Sequence, residues 1–181
     1  MADYFTADTH FGDDHIRRFF SRPFVSTLEM DTALVAGTQS IKATDNLWII
    51  GDFACCNTEA DRARAAEVFD LLPGQKHLVC GNHDDEWVKR QLPWSSVQDM
   101  VELDAAGRRL VLCHYPMVTW NGARDGAIHL FGHVHTNWRG AGGQVNVGVD
   151  LWGFRPVTVA EAELRSLTLP PSKLHARAEG L

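Results

Sequence analysis

The chain has 181 residues, and its 17 lysines and arginines against 23 aspartates and glutamates give a formal charge of −6. The length suits one domain of roughly 100–200 residues, and an apolar share of 45% with a charged share of 22% excludes a disordered chain. The negative charge argues against broad binding to nucleic acid through a basic face, so long nucleic acid is not a favoured partner.

Strand and helix signals alternate over the first half of the chain. Ser26 and Glu29 have the spacing of a capping box, after which apolar residues recur near the helical period as far as Ile41. Thr58 and Asp61 begin a second helix in the same way. The other elements predicted here are strands at Tyr4–Ala7, Leu47–Ile50 and Lys76–Cys80 and a short helix at Asp84–Leu92.

After Pro93 strand signals predominate, and a turn at Ala106-Gly107 joins two of the strands. The strands predicted in this half are Val97–Leu103, Leu110–Cys113, Ile128–Phe131, Val145–Val149 and Val157. Thr158 and Glu161 could cap a final short helix. Without a repeat or a break in composition, residues 1–168 are predicted to form one α/β domain. The polar tail, residues 169–181, is predicted to be mobile.

The cysteines and the apolar runs bear on location. No basic region followed by an apolar segment is visible at the start, which argues against a signal peptide. The longest apolar runs, such as Leu47–Ile50, are far shorter than the ~18 residues of a membrane span. The four cysteines form no C-x-x-C pair, which favours reduced thiols. We therefore expect a cytoplasmic protein without a membrane partner.

Polar side chains follow five of the predicted strands. These segments are Asp8-Thr9-His10, Gly51-Asp52, Gly81-Asn82-His83-Asp84, His114 and Gly132-His133-Val134-His135. In open α/β sheets the carboxyl ends of the strands line the crevice where ligands bind, so these side chains should converge. Each segment alone is more typical of a turn or a helix cap. Together they indicate a shared ligand, because buried His and Asp side chains without partners would be costly.

Metal coordination explains all of these segments at once. Seven side chains supply nitrogen or oxygen ligands, namely Asp8, His10, Asp52, Asn82, His114, His133 and His135. If one carboxylate bridges, each of two cations has about four protein ligands and room for solvent and substrate. Because imidazole suits transition metals, we expect two divalent ions, Mn first, with Fe, Zn or Ni as alternatives to it.

In this order, the motifs from residue 8 to residue 135 resemble those of the calcineurin-like metallophosphoesterase superfamily. Four further segments are similar to a small bacterial and phage branch of it: His10-Phe11-Gly12, Arg22-Pro23-Phe24, His114-Tyr115-Pro116 and Val147-Gly148-Val149-Asp150. The resemblance implies a four-layer α/β/β/α sandwich of two mixed sheets, with the metals between loops at the top. Members of the branch often have a further histidine just after Phe-Gly, where this chain has Asp13-Asp14-His15. The substrate contacts of this loop therefore stay open.

The resemblance also implies a role for each motif residue. The first metal would be bound by Asp8, His10, Asp52 and His135. The second metal would be bound by Asp52, Asn82, His114 and His133, so that Asp52 bridges the pair. His83 would be the catalytic histidine and not a ligand, and the acidic neighbour Asp84 would orient it.

The implied activity is metal-dependent hydrolysis of a phosphodiester in a small phosphate ester or nucleotide. Water activated between the metals would attack phosphorus in line, and His83 would protonate the leaving oxygen or stabilise its charge. A phosphomonoesterase is the main alternative. A non-catalytic metal-binding scaffold is less favoured, because all seven ligands and His83 are present. Arg22, Trp120 and Asn121 are weaker candidates for substrate contacts, and the sequence does not indicate an oligomeric state.

Overall fold

A computed structural model describes residues 1–180 of the chain. Its strands are β1 (Asp3–Thr6), β2 (Asn46–Ile50), β3 (Gln75–Val79), β4 (Ser96–Gln98), β5 (Met100–Ala105), β6 (Arg108–Cys113), β7 (Ile128–Phe131), β8 (Gly140–Ala141), β9 (Gln144–Asn146) and β10 (Val157–Thr158). They form two mixed sheets, with the orders β10-β1-β2-β3-β4 and β5-β6-β7-β9-β8. Strands β1 to β4 are parallel, as are β6, β7 and β9, whereas β10, β5 and β8 pair antiparallel at the edges.

The helices are α1 (Asp14–Phe19), α2 (Thr27–Ala36), α3 (Glu59–Leu71), α4 (Glu86–Gln91), α5 (Val159–Thr168) and α6 (Lys173–Glu179). The capping box predicted at Thr58 begins α3, and the one predicted at Thr158 begins α5. Helix α2 begins after Ser26 as predicted but ends at Ala36, so Ile41 lies beyond it. No helix within residues 1–180 is both long enough and apolar enough to span a membrane.

Alternation along the strands explains how the two sheets pack. In β2, Leu47 and Ile49 face the helices, whereas Trp48 and Ile50 face the other sheet. The first set packs with buried residues of α2, α3 and α4, and the second set packs with β6, β7 and β9. Because side chains alternate between the faces of a strand, a continuous apolar run buries both faces of the first sheet. The predicted α/β architecture of two mixed sheets is confirmed.

The outer face of the second sheet is covered by the segment after β6 and by α6. Val111 packs there against Trp120 and Ala127. The ring of His175, on α6, stacks on Trp120 at a centroid distance of 4.7 Å. Residues 169–181 therefore include a docked helix, and their mobility stays a prediction.

The strand predicted at Val97–Leu103 is two strands in the structure. Val97 pairs with Leu78 in the first sheet, and Val101 pairs with Leu112 in the second sheet. Asp99 lies between β4 and β5, where the chain crosses from one sheet to the other. Both strands are extended and contiguous, so the sequence pattern does not reveal the change of partner. The strand predicted at Val145–Val149 likewise ends at Asn146.

Candidate metal centre

The loops after the parallel strands lie side by side at one edge of the two sheets. The N–H of Asp8 donates to the carbonyl of Gly51 at 3.0 Å, and the N–H of His10 donates to the carbonyl of Asp52 at 3.0 Å. In the second sheet the N–H of Gly132 donates to the carbonyl of His114 at 3.0 Å. These bonds join the segments after β1 and β2 and those after β6 and β7, and the N–H of His133 connects the two pairs by donating to Oδ1 of Asp8 at 2.8 Å, as the strand-end pattern predicted.

Six of the predicted ligands form two groups. Asp8, His10 and His135 form the deep group, in which all three side chains are buried. Asp52, His114 and His133 form the open group, in which His133 is not buried. Each residue of a group offers one ligand atom, and the ligand atoms of a group lie within 4.8 Å of one another.

Asp52 connects the deep group to the open group. Its Oδ2 atom lies 3.5 Å from Nε2 of His10 and 3.3 Å from Nε2 of His114. The seventh predicted ligand, Asn82, places its Oδ1 atom 3.2 Å from Nε2 of His114. The structure therefore brings all seven predicted side chains into one centre, and Asp52 has the position that a bridging carboxylate needs.

The backbone of this centre is strained. Five predicted ligands have a positive φ angle in the left-handed region: Asp8 (56°), His10 (48°), Asp52 (58°), His133 (70°) and His135 (46°). Residues other than glycine rarely adopt this conformation. Such strain persists where the surrounding structure holds it, and it clusters at functional sites. The positive φ angles cluster in the loops of the centre. This backbone observation does not depend on which side chains are present, and it indicates that the loops are functional.

Two glycines allow the loops to approach each other. Gly51 has a φ of 83°, and a Cβ atom at this position would overlap the ring of His114. A Cβ atom on Gly132 would lie 2.6 Å from the Cβ atom of Ala7 and 2.8 Å from Oδ2 of Asp8. Any larger residue would push the ligand-bearing loops apart, so glycine is required for close approach here.

The donor atoms fit a pair of divalent cations. Oδ2 of Asp8 and Nε2 of His10 are buried, and neither has a hydrogen-bond partner within residues 1–180. An unpartnered buried polar atom costs about 1–3 kcal/mol, which a cation between the two atoms would offset. The combination of imidazole nitrogen and carboxylate oxygen is the set that transition metals bind.

The ionisable groups of the centre shift one another's pKa values. Burial lowers the pKa of His10, but its contacts with Asp13 and Asp52 outweigh burial and raise that pKa to about 9. Burial raises the pKa of Asp52, yet His10 and His114 bring it below its ordinary value. For His114, Asp52 outweighs burial and raises the pKa. Without metals, the neighbouring carboxylates therefore favour the protonated forms of His10 and His114.

A buried ion pair, which the sequence did not predict, supports the deep group. Arg22 binds Asp150 through Nε at 2.7 Å and Nη2 at 3.0 Å, and it also donates to the backbone carbonyls of Asp8 and Thr9. Asp150 in turn lies 2.8 Å from Nδ1 of His135. The Arg22 side chain is 0% exposed, which corrects its prediction as a substrate contact. It is a positioning residue instead.

Asp84 also differs from the role that the resemblance implied. Its carboxylate accepts hydrogen bonds from the backbone N–H groups of Asp52, Phe53 and Gly81 at 2.8–2.9 Å. No hydrogen bond of Asp84 within residues 1–180 reaches the ring of His83. Asp84 therefore ties the loop after β2 to the loop after β3 and so positions Asp52.

His83 lies at the mouth of the centre. Its backbone N–H donates to Oδ1 of Asp52 at 2.8 Å, and its ring centroid is 5.2 Å from that of His10. The side chain is exposed and lines an open cleft of about 300 Å³. Asp52, Asn82, His133 and His135 line the same cleft. The arrangement gives a solvent-accessible imidazole beside the two ligand groups.

The other two residues offered as substrate contacts lie elsewhere. Trp120 is buried on the outer face of the second sheet, where its Nε1–H donates to the carbonyl of Ala127 at 2.9 Å. Asn121 donates to Glu102 at 2.7 Å. Neither residue lines the cleft. Both residues were offered as substrate contacts because they follow His114 in the sequence. In the structure the chain turns away from the centre before it reaches them.

Relatives of similar length have no stated function. No protein-family model matches the chain. An uncharacterised protein of Methanocaldococcus jannaschii is 26% identical in an alignment of 164 positions that covers 86% of this chain and 86% of that protein. The gene 66 protein of Mycobacterium phage L5 is 27% identical in an alignment of 183 positions, gaps included, that covers 83% of this chain and 87% of the phage protein.

A solved structure shares the fold of this chain. A protein of unknown function from Aquifex aeolicus aligns with a TM-score of 0.68 and 23% identity, covering 88% of this chain and 96% of that one. YfcE, a phosphoesterase from E. coli, aligns with a TM-score of 0.46 and 19% identity, covering 82% of this chain and 78% of that one. The two mixed sheets and the loops at their edge agree with the architecture that the motifs imply. The chain has the same fold as the Aquifex aeolicus protein.

Proposed function

We propose that this protein is a metallophosphoesterase that hydrolyses a phosphodiester with the help of two divalent transition-metal ions, Mn first among them. The observation that carries the proposal is the pair of ligand groups that meet at Asp52 beside a cleft. Structural metal sites are usually closed, whereas catalytic sites keep a side open to solvent and substrate. The open group has such a side, because His133 is not buried and Asn82 is exposed.

The residues of the deep group would hold one ion and those of the open group, with Asn82, the other. When bound, the ions supply positive charge that polarises the phosphoryl group and lowers the pKa of coordinated water. The chain's own contribution is to fix the ligands before substrate arrives. It does so through the Arg22–Asp150 pair on one side and through the Asp84 carboxylate on the other.

His83 is the group best placed to move a proton. Its backbone is fixed to Asp52, while its ring is exposed in the cleft and free to reach a leaving oxygen. General acid help of this kind is typically worth about 10²–10⁴-fold in rate. The imidazole would donate its proton to the departing oxygen and regain one from solvent.

The charge of the cleft supports a diester over a monoester. None of the described residues that line the cleft is Lys or Arg, and Asp13 and Asp52 are among them. A diester carries one negative charge, whereas a monoester is close to a dianion at neutral pH. A cleft without basic side chains beyond the metal centre favours the singly charged ester.

The test is hydrolysis of bis-p-nitrophenyl phosphate and of p-nitrophenyl phosphate by metal-free protein titrated with Mn²⁺. We expect activity to appear with the metal, to be higher on the bis-ester, and to be lost in Asn82→Ala. Asp70→Ala, an exposed carboxylate on α3, serves as the matched control. Preference for the mono-ester would make the protein a phosphatase. Metal binding without hydrolysis of either ester would favour the scaffold.

A further inference from the structure

A series of aromatic rings runs from the deep ligand group to the solvent. The ring of Phe20 stacks on His135 at a centroid distance of 3.8 Å and an interplanar angle of 12°. Phe19 meets Phe20 edge-on at 4.9 Å, and His15 lies nearly parallel to Phe19 at 5.8 Å. We call His15, Phe19 and Phe20 the aromatic wall. All three line the cleft that also contains His83 and His135.

The aromatic wall is held rigidly. Asp13 caps α1 by accepting from the N–H of Ile16 at 2.9 Å, and the Ile16 side chain anchors the helix in the core. Arg17 binds Asp14 and donates to the carbonyl of Phe24, which fixes the turn after the helix. A surface that is ordered before its ligand arrives loses less entropy on binding.

The outer ring of the wall is open to solvent. Phe19 is 69% exposed, although it belongs to a cluster of rings instead of standing alone on the surface. Exposed apolar clusters beside a polar cleft are characteristic of ligand sites. Flat rings next to a phosphoryl site bind flat substituents, because every nucleobase has a face that stacks on an aromatic side chain.

We infer that the aromatic wall binds the nucleobase of a small nucleoside phosphodiester whose phosphorus lies over the metal centre. The inference rests on the proposed function and adds its substrate class. Long nucleic acid does not fit, because no Lys or Arg among the described cleft residues would neutralise further phosphates. The wall therefore recognises one base next to one phosphodiester.

The experiment compares two esters with the same leaving group and the same charge. These are the p-nitrophenyl ester of thymidine 5′-phosphate and methyl p-nitrophenyl phosphate, both with Mn²⁺-loaded protein. We expect the unaltered protein to prefer the thymidine ester. In Phe19→Ala the ratio of the two kcat/KM values should fall about 5- to 100-fold, because one base–aromatic stack is lost. Phe19→Trp, which keeps a flat ring, should retain the preference.

Leu167→Ala is the control, since Leu167 is 77% exposed on α5 and does not line the cleft. A second readout is calorimetric binding of thymidine 5′-monophosphate against ribose 5-phosphate, with Phe19→Ala weakening only the former. Equal kcat/KM ratios in Phe19→Ala and the unaltered protein would overturn the base site and leave the phosphodiesterase standing. Base-dependent binding without hydrolysis of either ester would instead retain the base site and overturn the proposed function.

Discussion

The deep group and the open group use similar residues but are built differently. In the deep group His10 and His135 are buried, and the Arg22–Asp150 ion pair fixes both His135 and the backbone of Asp8. In the open group the backbone of Asp52 is held by the Asp84 carboxylate, and the ring of His114 contacts the carbonyl of Ile50 through Nδ1. It borders the cleft through Asp52 and His133, and His133 is the member of the two groups that is not buried.

This difference suggests a division of labour between metal retention and substrate chemistry. Side chains that are buried and fixed by charged partners keep a ligand geometry in the absence of substrate. Side chains that line a cleft can contact the substrate while it reacts. Substitutions around the deep group should therefore change metal content first, and those at the cleft should change kcat first.

The largest effect is expected where the two groups meet. Asp52→Ala removes the carboxylate that contacts both His10 and His114. We expect the variant to bind fewer than two metals and to lose bis-ester hydrolysis down to the uncatalysed background, because both charge centres are weakened. Elemental analysis after dialysis and initial rates measure the two effects. A variant that keeps two metals and measurable activity would show that Asp52 does not join the groups.

His83→Ala tests the chemistry at the cleft without removing a predicted metal ligand. We expect kcat to fall about 10²–10⁴-fold while two metals remain bound, because the exposed imidazole moves a proton without coordinating. Kinetics and elemental analysis of the same preparation give both numbers. His175→Ala, a histidine on α6 outside the cleft, is the control. Loss of metals in His83→Ala would make His83 a ligand and contradict its assignment.

Asp150→Asn tests the support of the deep group. We expect metal affinity to drop about 10- to 100-fold, because the partner that orients His135 is weakened. The free energy of unfolding of the metal-free protein should fall by about 3–5 kcal/mol, because Arg22 is left as a buried unpaired charge. Titration with Mn²⁺ and denaturant unfolding measure the two changes.

The double variant Arg22→Met/Asp150→Asn separates these two effects. Removing both charges should restore part of the lost stability, since no buried charge stays unpaired. Metal affinity should remain low, because His135 still lacks its charged partner. If the double variant recovered metal affinity together with stability, the ion pair would act on the fold alone and not on His135.

The local patterns predicted the centre because its ligands follow strands. Asp8, Asp52 and His114 each lie within two residues of the end of a strand, and the ends of parallel strands meet at one edge of a sheet. The capping boxes of α3 and α5 were visible for the same reason, since their partners are three residues apart. Interactions that are short in sequence leave a pattern that can be interpreted without the fold.

The supporting interactions were not predictable in this way. Arg22 and Asp150 are 128 residues apart, so no spacing indicates that they pair. The role of Asp84 depends on backbone N–H groups, which have no sequence signature. Nothing near Phe20 in the sequence indicates that the fold stacks its ring on His135. Because the pairing with Asp150 is not visible in the sequence, the charge of Arg22 was interpreted as a substrate contact.

The smallest effect concerns protons in the deep group. Because Asp13 and Asp52 raise the pKa of His10 to about 9, the metal-free protein carries this proton at neutral pH. A ligand histidine must lose its proton, so Mn²⁺ binding should release about one proton and tighten about tenfold per pH unit until pH approaches that pKa. Calorimetry at pH 7 in two buffers with different ionisation enthalpies counts the protons.

The raised pKa of His10 also determines how the stability of the metal-free protein changes with pH. A raised histidine pKa stabilises the metal-free fold fully below its ordinary value of 6.5, and this contribution is lost as pH rises through about 9. Asp13→Asn is the matched variant, because asparagine still caps α1 but no longer carries a charge next to His10. It should release fewer protons at pH 7 and lose less stability between these pH values. Unchanged proton release in Asp13→Asn would show that Asp13 does not hold this proton on His10.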